Sequence, residues 1–471
     1  MNVPNGCVFL SPKTNHLMST TRRTFLKNAT SSAAAIGFPA ILRAANPNST
    51  LQIASIGADG MAYSDIKSTA DHPKVKYVAF CDVDKARFAK VDADFPGTPQ
   101  FQDYREMLAK LGDKIDAVNI GTPDHMHAKA AMDAMQMGKH VYCQKPLTHT
   151  VWESRQLRLQ AAKSGVVTQM GNQIHSAIEY RLGTRLIKEG AIGKVKKVYS
   201  WVGVTGNERT RLLEPPKTGM QPPASLNWDL WIGVAPMRDY APVYHPFIWR
   251  DWQDFGSGGL GDFGCHILDP VFTALELTAP TNITVRNSGI NGQVWPVNET
   301  IKYTFPGTKH TAGDIEVTWM DGGLKPDRKL AKMPPELDLP PSGSLFIGEE
   351  GTLVLAHVGG PRMYPLEKYK SFIYPKEVGM NHRHRWVDAI LEGGKTSDGF
   401  DYAGPLTETV QLGNVATRFA APTVDSVSGR ITEDTKTLQW DAANMKFPNL
   451  PEAEPYLTKT YRDGWEIKPV S

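Results

Sequence analysis

The chain has 471 residues, 41% hydrophobic and 21% charged, with 52 Lys and Arg against 49 Asp and Glu for a formal charge of +3. That is an ordinary globular composition with length for two or three domains, and it excludes a disordered tail, a collagen-like chain and a coiled coil. No stretch approaches the roughly 18 consecutive apolar residues of a spanning helix, which excludes a multi-pass membrane protein.

The first 45 residues read as an address. Arg22-Arg23-Thr24-Phe25-Leu26 precedes a weakly hydrophobic, alanine-rich stretch from Ala29 to Leu42 that contains no acidic residue. The pattern resembles a twin-arginine export signal, and Pro39 argues against a packed helix there. Removal near Ala44 or Ala45 takes away five basic residues and leaves 47 basic against 49 acidic. The basic balance of the whole chain therefore predicts no nucleic-acid partner. The mature protein is expected in the periplasm, or otherwise exported, with no membrane attachment. Cys7, Cys81, Cys143 and Cys265 form neither a CxxC pair nor a zinc-ligand spacing, so no metal is expected. They read as small buried residues, although an exported chain can pair two of them.

Residues 51–170 alternate β-rich runs with helical patterns. Strands are predicted over 51–56, 75–80, 115–120, 139–143 and 166–169, and helices over 104–111, 128–136 and 151–163. Strands joined through helices make βαβ units around a parallel sheet. Beyond residue 175 a helix over 178–189 leads into β-rich runs at 195–204, 283–287, 300–305, 315–320 and 344–356. Long connections rich in Pro, Gly and Trp lie at 205–258 and 321–343, and two late helices at 384–391 and 406–420. The expected fold class is α/β: an N-terminal doubly wound parallel sheet over 50–172 and a C-terminal α/β domain with a mostly antiparallel open sheet over 173–430. Residues 431–471 form an arm over the body or a neighbouring subunit.

Gly57-Ala58-Asp59-Gly60-Met61-Ala62 lies between the first strand and the first helix, where a dinucleotide-binding turn sits. Gly57 fits the first glycine position and Ala62 the third. Asp59 takes the second, with Gly60 beside it to admit the pyrophosphate. A strand-to-helix turn without a ligand explains the segment about as well. Asp82, at the end of the second strand, is placed for the adenosine ribose, where a carboxylate favours NAD over NADP. As a helix cap, Asp84 fits better than Asp82.

Three further clusters carry candidate chemistry. Thr122, Pro123 and His127 stand where a strand end runs into a helix, which is also a plain helix start. Gln144-Lys145-Pro146 follows a strand, and a lysine at the C-terminal edge of a parallel sheet faces the ligand crevice, whereas most lysines are simply solvated. In the glycine-rich run 258–269, Asp262, His266 and Asp269 share a helical sector of about 60°. An Asp four residues before a His orients the imidazole as a general base. The bland reading is a glycine-rich cap with a satisfied core histidine.

Taken together, these residues resemble the glucose–fructose oxidoreductase/inositol dehydrogenase (Gfo/Idh/MocA) family over roughly residues 51–430. The markers are the Gly57 turn, Cys81-Asp82-Val83-Asp84, Thr122-Pro123 with His127, the run from Gly138 to Leu147, and Gly261-Asp262 with His266. The resemblance implies a Rossmann domain and a C-terminal α/β domain whose open sheet mediates a homo-oligomer, here a dimer or tetramer. It implies NAD contacts from Gly57, Asp59, Gly60, Met61, Asp82, Thr122, Pro123, His127, Gln144 and Lys145. It implies Lys145 on the nicotinamide ribose and the substrate hydroxyl, and His266 as acid/base with Asp262 as its partner. Gln144 stands where the family carries Glu, and Asp59 where it carries Gly.

Asn172, His175, Tyr180, Arg181, His245, Trp249, Arg250, Trp252, His382 and His384 supply the flat faces and polar groups that sugar sites use, although packing explains most tryptophans. His382 and His384 diverge on a helix, which disfavours a metal pair. The expected function is an NAD-dependent oxidoreductase acting on a secondary hydroxyl of a sugar or glycoside. An exported enzyme meets no free nicotinamide pool, so the cofactor is expected to be held tightly. Two other classes stay open: a redox-neutral NAD-dependent glycosidase, lyase or epimerase, and a non-catalytic sugar- or nucleotide-binding protein of the same fold.

Overall fold

The structure is a computed structural model that describes residues 50–203, 219–420 and 436–470. The address read at 1–45 lies outside these residues. Among them, no helix is long and apolar enough to cross a membrane.

The first sheet holds β1 (Leu51–Ile56), β2 (Val75–Cys81), β3 (Gln100–Phe101), β4 (Ala117–Ile120), β5 (His140–Gln144) and β6 (Thr168–Gly171), in the order β3-β2-β1-β4-β5-β6. Every pairing is parallel. Both faces are covered by helices, so β1, β4 and β6 read as near-continuous buried runs rather than alternating ones. The chain winds outward from β1 to β3, then returns to β4 beside β1. That reversal opens a crevice at the C-terminal ends of β1 and β4, the position where such sheets bind ligands.

The second sheet holds β7 (Val195–Trp201), β8 (Asn282–Asn287), β9 (Glu299–Phe305), β10 (Thr311–Met320), β11 (Gly343–Gly348), β12 (Thr352–Ala356), β13 (Pro361–Tyr364) and β14 (Thr437–Gln439). Their order is β13-β12-β11-β7-β10-β9-β8-β14. Only β7 and β10 run parallel. The single run expected over 344–356 is a hairpin, β11 and β12, closed by Gly348 N–H donating to Gly351 O at 2.8 Å. The polar, glycine-flanked turn Gly348-Glu349-Glu350-Gly351 between the two apolar strands is the signal that a single run over 344–356 passes over. The short strands β3, β13 and β14 escaped the sequence reading because two to four residues show no period.

The helix Phe400–Thr417 holds the two sheets' layers together. It packs on the helices Val151–Ser164 and Gly258–Ile267, and almost every position in it is buried. Its buried amides are spent on the neighbouring loops. Gln411 Nε2 donates to Thr148 O at 2.8 Å and Ser257 Oγ at 3.0 Å, and Asn414 Nδ2 donates to Ser257 O at 3.1 Å. These bonds fix the start of the helix Gly258–Ile267, which carries Asp262 and His266.

The connection read as irregular at 205–258 contains, in its described part, an aromatic layer. Trp228 stacks on Trp231, and Tyr244, Trp252 and Phe255 pack edge-on in the same cluster. Lys85 N–H donates to Ser225 O and Asn227 N–H to Val83 O, at 3.0 and 2.9 Å, tying this layer to the loop after β2. The C-terminal residues lie on the chain's own body. Lys459 Nζ and Tyr461 OH each reach Glu153 Oε1 at 2.8 Å, Arg462 pairs with Asp229, and Trp465 stacks against Arg105.

Glu153 is 1% exposed, and among the described residues Lys459 is its one cationic partner. Lys459→Met leaves a buried carboxylate with hydrogen bonds but no counter-charge, and is expected to cost about 3 kcal/mol. Chemical denaturation of the two proteins measures this; an unchanged midpoint removes the arm from the stability of the body.

Candidate active site

The C-terminal ends of β1, β2, β4 and β5 open into one cleft of about 490 Å³. Its far wall is built from Leu230, Trp231, His245, Pro246, Phe247, Trp249, Arg250 and Asp262 of the second half, and Trp465 of the arm closes one end against Tyr104.

The turn after β1 is shaped by backbone contact. Gly57 has φ +104°, and a Cβ on it would lie 2.8 Å from Gly121 O. A Cβ on Gly121 would lie 2.6 Å from the Cβ of Ala62. The turn and the end of β4 are thus pressed together, and only residues as small as Gly and Ala fit. Gly60 precedes the helix Met61–Ala70 without a side-chain cap, so its first-turn N–H groups remain for an anion in the cleft. Asp59 stands at the turn's second position, where an anion would repel a pyrophosphate. Its carboxylate instead pairs with Arg87 Nη1 at 2.9 Å and Lys90 Nζ at 2.7 Å. Burial pushes its pKa up, but these two cations more than offset that and hold it below the usual carboxylate range.

Asp82 accepts from Ala58 N–H and Asp84 N–H, each at 3.0 Å. Burial pushes its pKa up to about 6 against the pull of those amides. Asp84, as anticipated, caps the next turn by accepting from Ala86 N–H at 3.1 Å. Thr122, Pro123, Met61, Gln144 and Lys145 line the same cleft, and the Thr122 hydroxyl is buried there without a hydrogen-bond partner among the described residues. The uncapped helix start, the two-amide carboxylate and the spare hydroxyl fit an adenosine–pyrophosphate–ribose cofactor. His127 stands differently from expectation. It is fully buried and does not line the cleft; Nδ1 faces Pro146 O and Nε2 faces Thr122 O, both at 2.8 Å. It braces the two loops that do.

At the other end of the cleft Lys145 Nζ donates to Asp262 Oδ1 at 2.6 Å and to Asp262 O at 2.7 Å. His266, one turn further along the same helix, is 7% exposed. The expected Asp262–His266 pairing is corrected in its main feature: the carboxylate of Asp262 is turned to Lys145, and the group facing His266 Nδ1 is Asn172 Oδ1, at 2.5 Å. Asn172 Nδ2 donates to Cys265 O at 3.0 Å, so its Oδ1 is the acceptor. Nδ1 of His266 therefore carries the proton and Nε2 keeps its lone pair. Burial first, then Lys145 and His357, push the pKa of His266 well below 6.5.

The remaining predicted substrate residues divide. Trp249, Arg250 and His245 line the cleft, with His245 beside Asp84 and Arg87 rather than near Lys145. Trp252 is fully buried in the aromatic layer. Tyr180 is buried, its OH 3.0 Å from His357 Nδ1, and His357 packs 5.6 Å from the His266 ring. His175 is paired with Asp269 at 2.8 Å, and Arg181 with Glu377 at 3.4 Å. His382 and His384 belong to the scaffold: His382 bonds Ser176 Oγ and Met170 O, and His384 Nε2 bonds Ser68 O, each at 2.9 Å. No local signal marked Arg87, Trp231 or Trp465, which reach the cleft from two short helices and the arm, or His357, which packs against His266. Among the described residues no three or more of His, Cys, Asp and Glu are grouped to hold a metal ion, and Cys81, Cys143 and Cys265 are buried free thiols.

Residues 51–172 match the oxidoreductase family described as an NAD-binding Rossmann fold, and residues 185–309 match the oxidoreductase family's C-terminal alpha/beta domain. A levoglucosan dehydrogenase of Pseudarthrobacter phenanthrenivorans is 29% identical over 156 residues, 33% of this chain and 32% of that protein. A 1,5-anhydro-D-fructose reductase of Ensifer adhaerens is 31% identical over 107 residues, 22% and 32% respectively. A glycosyl hydrolase family 109 protein of a Shewanella species is 28% identical over 154 residues, 31% and 33%. The chain thus spans about a third of the length of the curated relatives it matches. Among solved structures, GenD2 from gentamicin A biosynthesis in complex with NAD aligns with TM-score 0.54 at 16% identity, over 85% of this chain and 99% of that one. The WlbA dehydrogenase of Bordetella pertussis, in complex with NADH and UDP-GlcNAcA, aligns with TM-score 0.55 at 15% identity, over 78% and 97%. At these identities the likeness shows the fold.

Behind the site, His175 is raised from 6.5 to about 9: burial pushes it down, and the Asp269 carboxylate more than reverses that. A folded pKa above the unfolded one stabilises fully below about 6.5 and is lost as pH rises through about 9. Asp398, which burial pushes up to about 7, adds to the loss at lower pH. The unfolding free energy is expected to fall from about pH 7 to 9, and His175→Gln is expected to flatten that slope. Denaturant titrations at stepped pH read this directly, and equal slopes in both proteins remove His175 from the linkage.

Proposed function

Because this chain belongs to the Gfo/Idh/MocA oxidoreductase family, with an NAD-binding Rossmann domain and an α/β second domain, we propose that it oxidises a secondary hydroxyl of a sugar or glycoside with bound NAD. The observation that carries this is the pairing of a fixed ammonium with a fixed lone pair at one end of the cofactor cleft: Lys145 on Asp262, and His266 held by Asn172. Gly57, the helix start at Met61, Asp82, Thr122 and Gln144 hold the cofactor. Bound NAD supplies the hydride acceptor.

Lys145 has three N–H donors, and Asp262 takes two of them. The third is free to donate to the substrate oxygen and to stabilise it as its proton leaves. His266 Nε2 is the acceptor for that proton. Asn172 is the positioning residue that selects this tautomer. Asp82, with both oxygens on main-chain amides, favours a free ribose hydroxyl over a phosphate, and so NAD over NADP. The names of the relatives, a levoglucosan dehydrogenase and an anhydrofructose reductase, support a sugar-like substrate.

The cleft, with Trp231, Phe247 and Trp249 on one side and Trp465 at one end, supports a cofactor that stays on the protein between turnovers. Such retention suits export by the twin-arginine route to the periplasm, and a homo-oligomer built on the open sheet is part of the same reading. A second reading, redox-neutral glycoside cleavage or epimerisation with transient oxidation, is favoured by the likeness to a family 109 glycosyl hydrolase protein. A released aglycone or an epimer, against a stable ketosugar, separates the two.

Purified without added cofactor and then denatured, the protein is expected to release close to one equivalent of NAD(H) per chain; none released and none rebound would sink the proposal. His266→Ala is expected to lower turnover by about 10²–10⁴-fold with the cofactor still bound. Because a neutral His266 is the competent form and its pKa lies well below 6.5, turnover is expected to fall only in acid below that value. An acid limb centred at or above 6.5 points to a different base.

A further inference from the structure

Among the described residues, the charges at the reacting end of the cleft do not balance. Lys145 and Arg250 both address one carboxylate: Lys145 Nζ lies 2.6 Å from Asp262 Oδ1 and Arg250 Nε 3.8 Å from the same atom. Asp124, the other carboxyl nearby, is fully buried, accepts from Ser257 N–H at 3.1 Å, and is pushed by burial toward its neutral form. A second cation beside Lys145 gives an oxidised nicotinamide nothing, since that ring is itself positive.

Arg250 is also built to stay where it is. Its guanidinium lies 4.4 Å from the Phe247 ring and 4.3 Å from the Trp249 ring, with Nη1 donating to Phe247 O at 3.1 Å. Nη2 has no partner among the described residues, and the residue lines the cleft. A guanidinium held against two aromatic rings at a ligand cleft, with Nη2 unpartnered among the described residues, has the chemistry of an oxyanion receptor.

We propose that the substrate is an acidic sugar, whose oxyanion is taken by Arg250 while its reacting hydroxyl lies at Lys145. This rests on the reading that a sugar binds at the Lys145 end. A uronate carboxylate, a sugar phosphate and a sugar sulfate share the chemistry.

The test uses the full chain as purified. Calorimetry measures binding of D-glucuronate, D-galacturonate, D-glucose 6-phosphate and D-glucose 6-sulfate, each against its neutral parent, to wild type, Arg250→Lys and Arg250→Gln. Absorbance of the reduced cofactor is followed in parallel. Wild type is expected to bind at least one acidic sugar about 30- to 100-fold more tightly than its parent. Arg250→Gln is expected to lose that preference, and Arg250→Lys to keep part of it. Which acidic sugar binds identifies the oxyanion. Equal or tighter binding of the neutral parents, no binding of any acidic sugar by wild type, or an acid preference that survives in Arg250→Gln overturns the proposal. The two readings fail separately. An Arg250-dependent acid preference without cofactor reduction sinks the oxidoreductase and keeps the receptor. Cofactor reduction by neutral sugars alone does the reverse.

Discussion

The contact on which the site depends is the bond from Lys145 to Asp262. Lys145 leaves the end of β5 in the parallel sheet, and Asp262 sits on a helix of the second half, 117 residues later in the chain. Nζ takes both the main-chain oxygen and the carboxylate of Asp262, so the lysine is held in distance and in direction. A lysine is a flexible point charge, and two acceptors on one residue remove most of its freedom. The two members of the pair act oppositely on His266, after burial: the Lys145 ammonium lowers its proton affinity and the Asp262 carboxylate raises it, while Arg250 keeps only a shared claim on Asp262.

A second set of bonds explains the glutamine beside that lysine. Gln144 Nε2 donates to Asp65 Oδ2 at 2.6 Å, and Arg383 takes Asp65 Oδ1 through Nε and Nη2 at 2.9 and 2.7 Å. Asp65 is fully buried. A glutamate at 144 would set a second carboxylate against it with one arginine between them, whereas a glutamine donates and leaves its oxygen for the cleft. His384 on Ser68 O and Arg383 on Asp65 join the helix His382–Glu392 to the first helix of the Rossmann half. His382 and His384, expected among the substrate residues, are therefore part of the frame that holds β5 and its lysine.

Much of the architecture was legible because it is written locally. The short β-rich runs and the helical stretches between them gave the parallel sheet with boundaries close to those observed, and the helix Tyr104–Leu111 matches its predicted ends. The turn from Gly57 to Ala62 and the carboxylate of Asp82 were legible because a tight strand-to-helix turn needs small residues at set offsets. The hairpin β11–β12 was legible in Gly348-Glu349-Glu350-Gly351, which breaks both hydrophobicity and propensity, but the single run expected over 344–356 passed over that break. The aromatic layer around Trp231 was not, because its rings meet through packing that carries no period.

Periodicity and spacing within a few tens of residues gave the fold class and the position of the crevice. Lys145 and His266 were singled out by the resemblance to a family rather than by spacing alone. Tertiary structure alone decided the partners. Asn172 meets His266 across 94 residues, Arg87 and Lys90 neutralise Asp59 from another strand's loop, and His127 turns inward to brace two loops. It also brought Arg250 to the reacting end and folded Trp465 over the other. Spacing within an element tells which side chains share a face; which charge or carbonyl they meet depends on how distant elements pack.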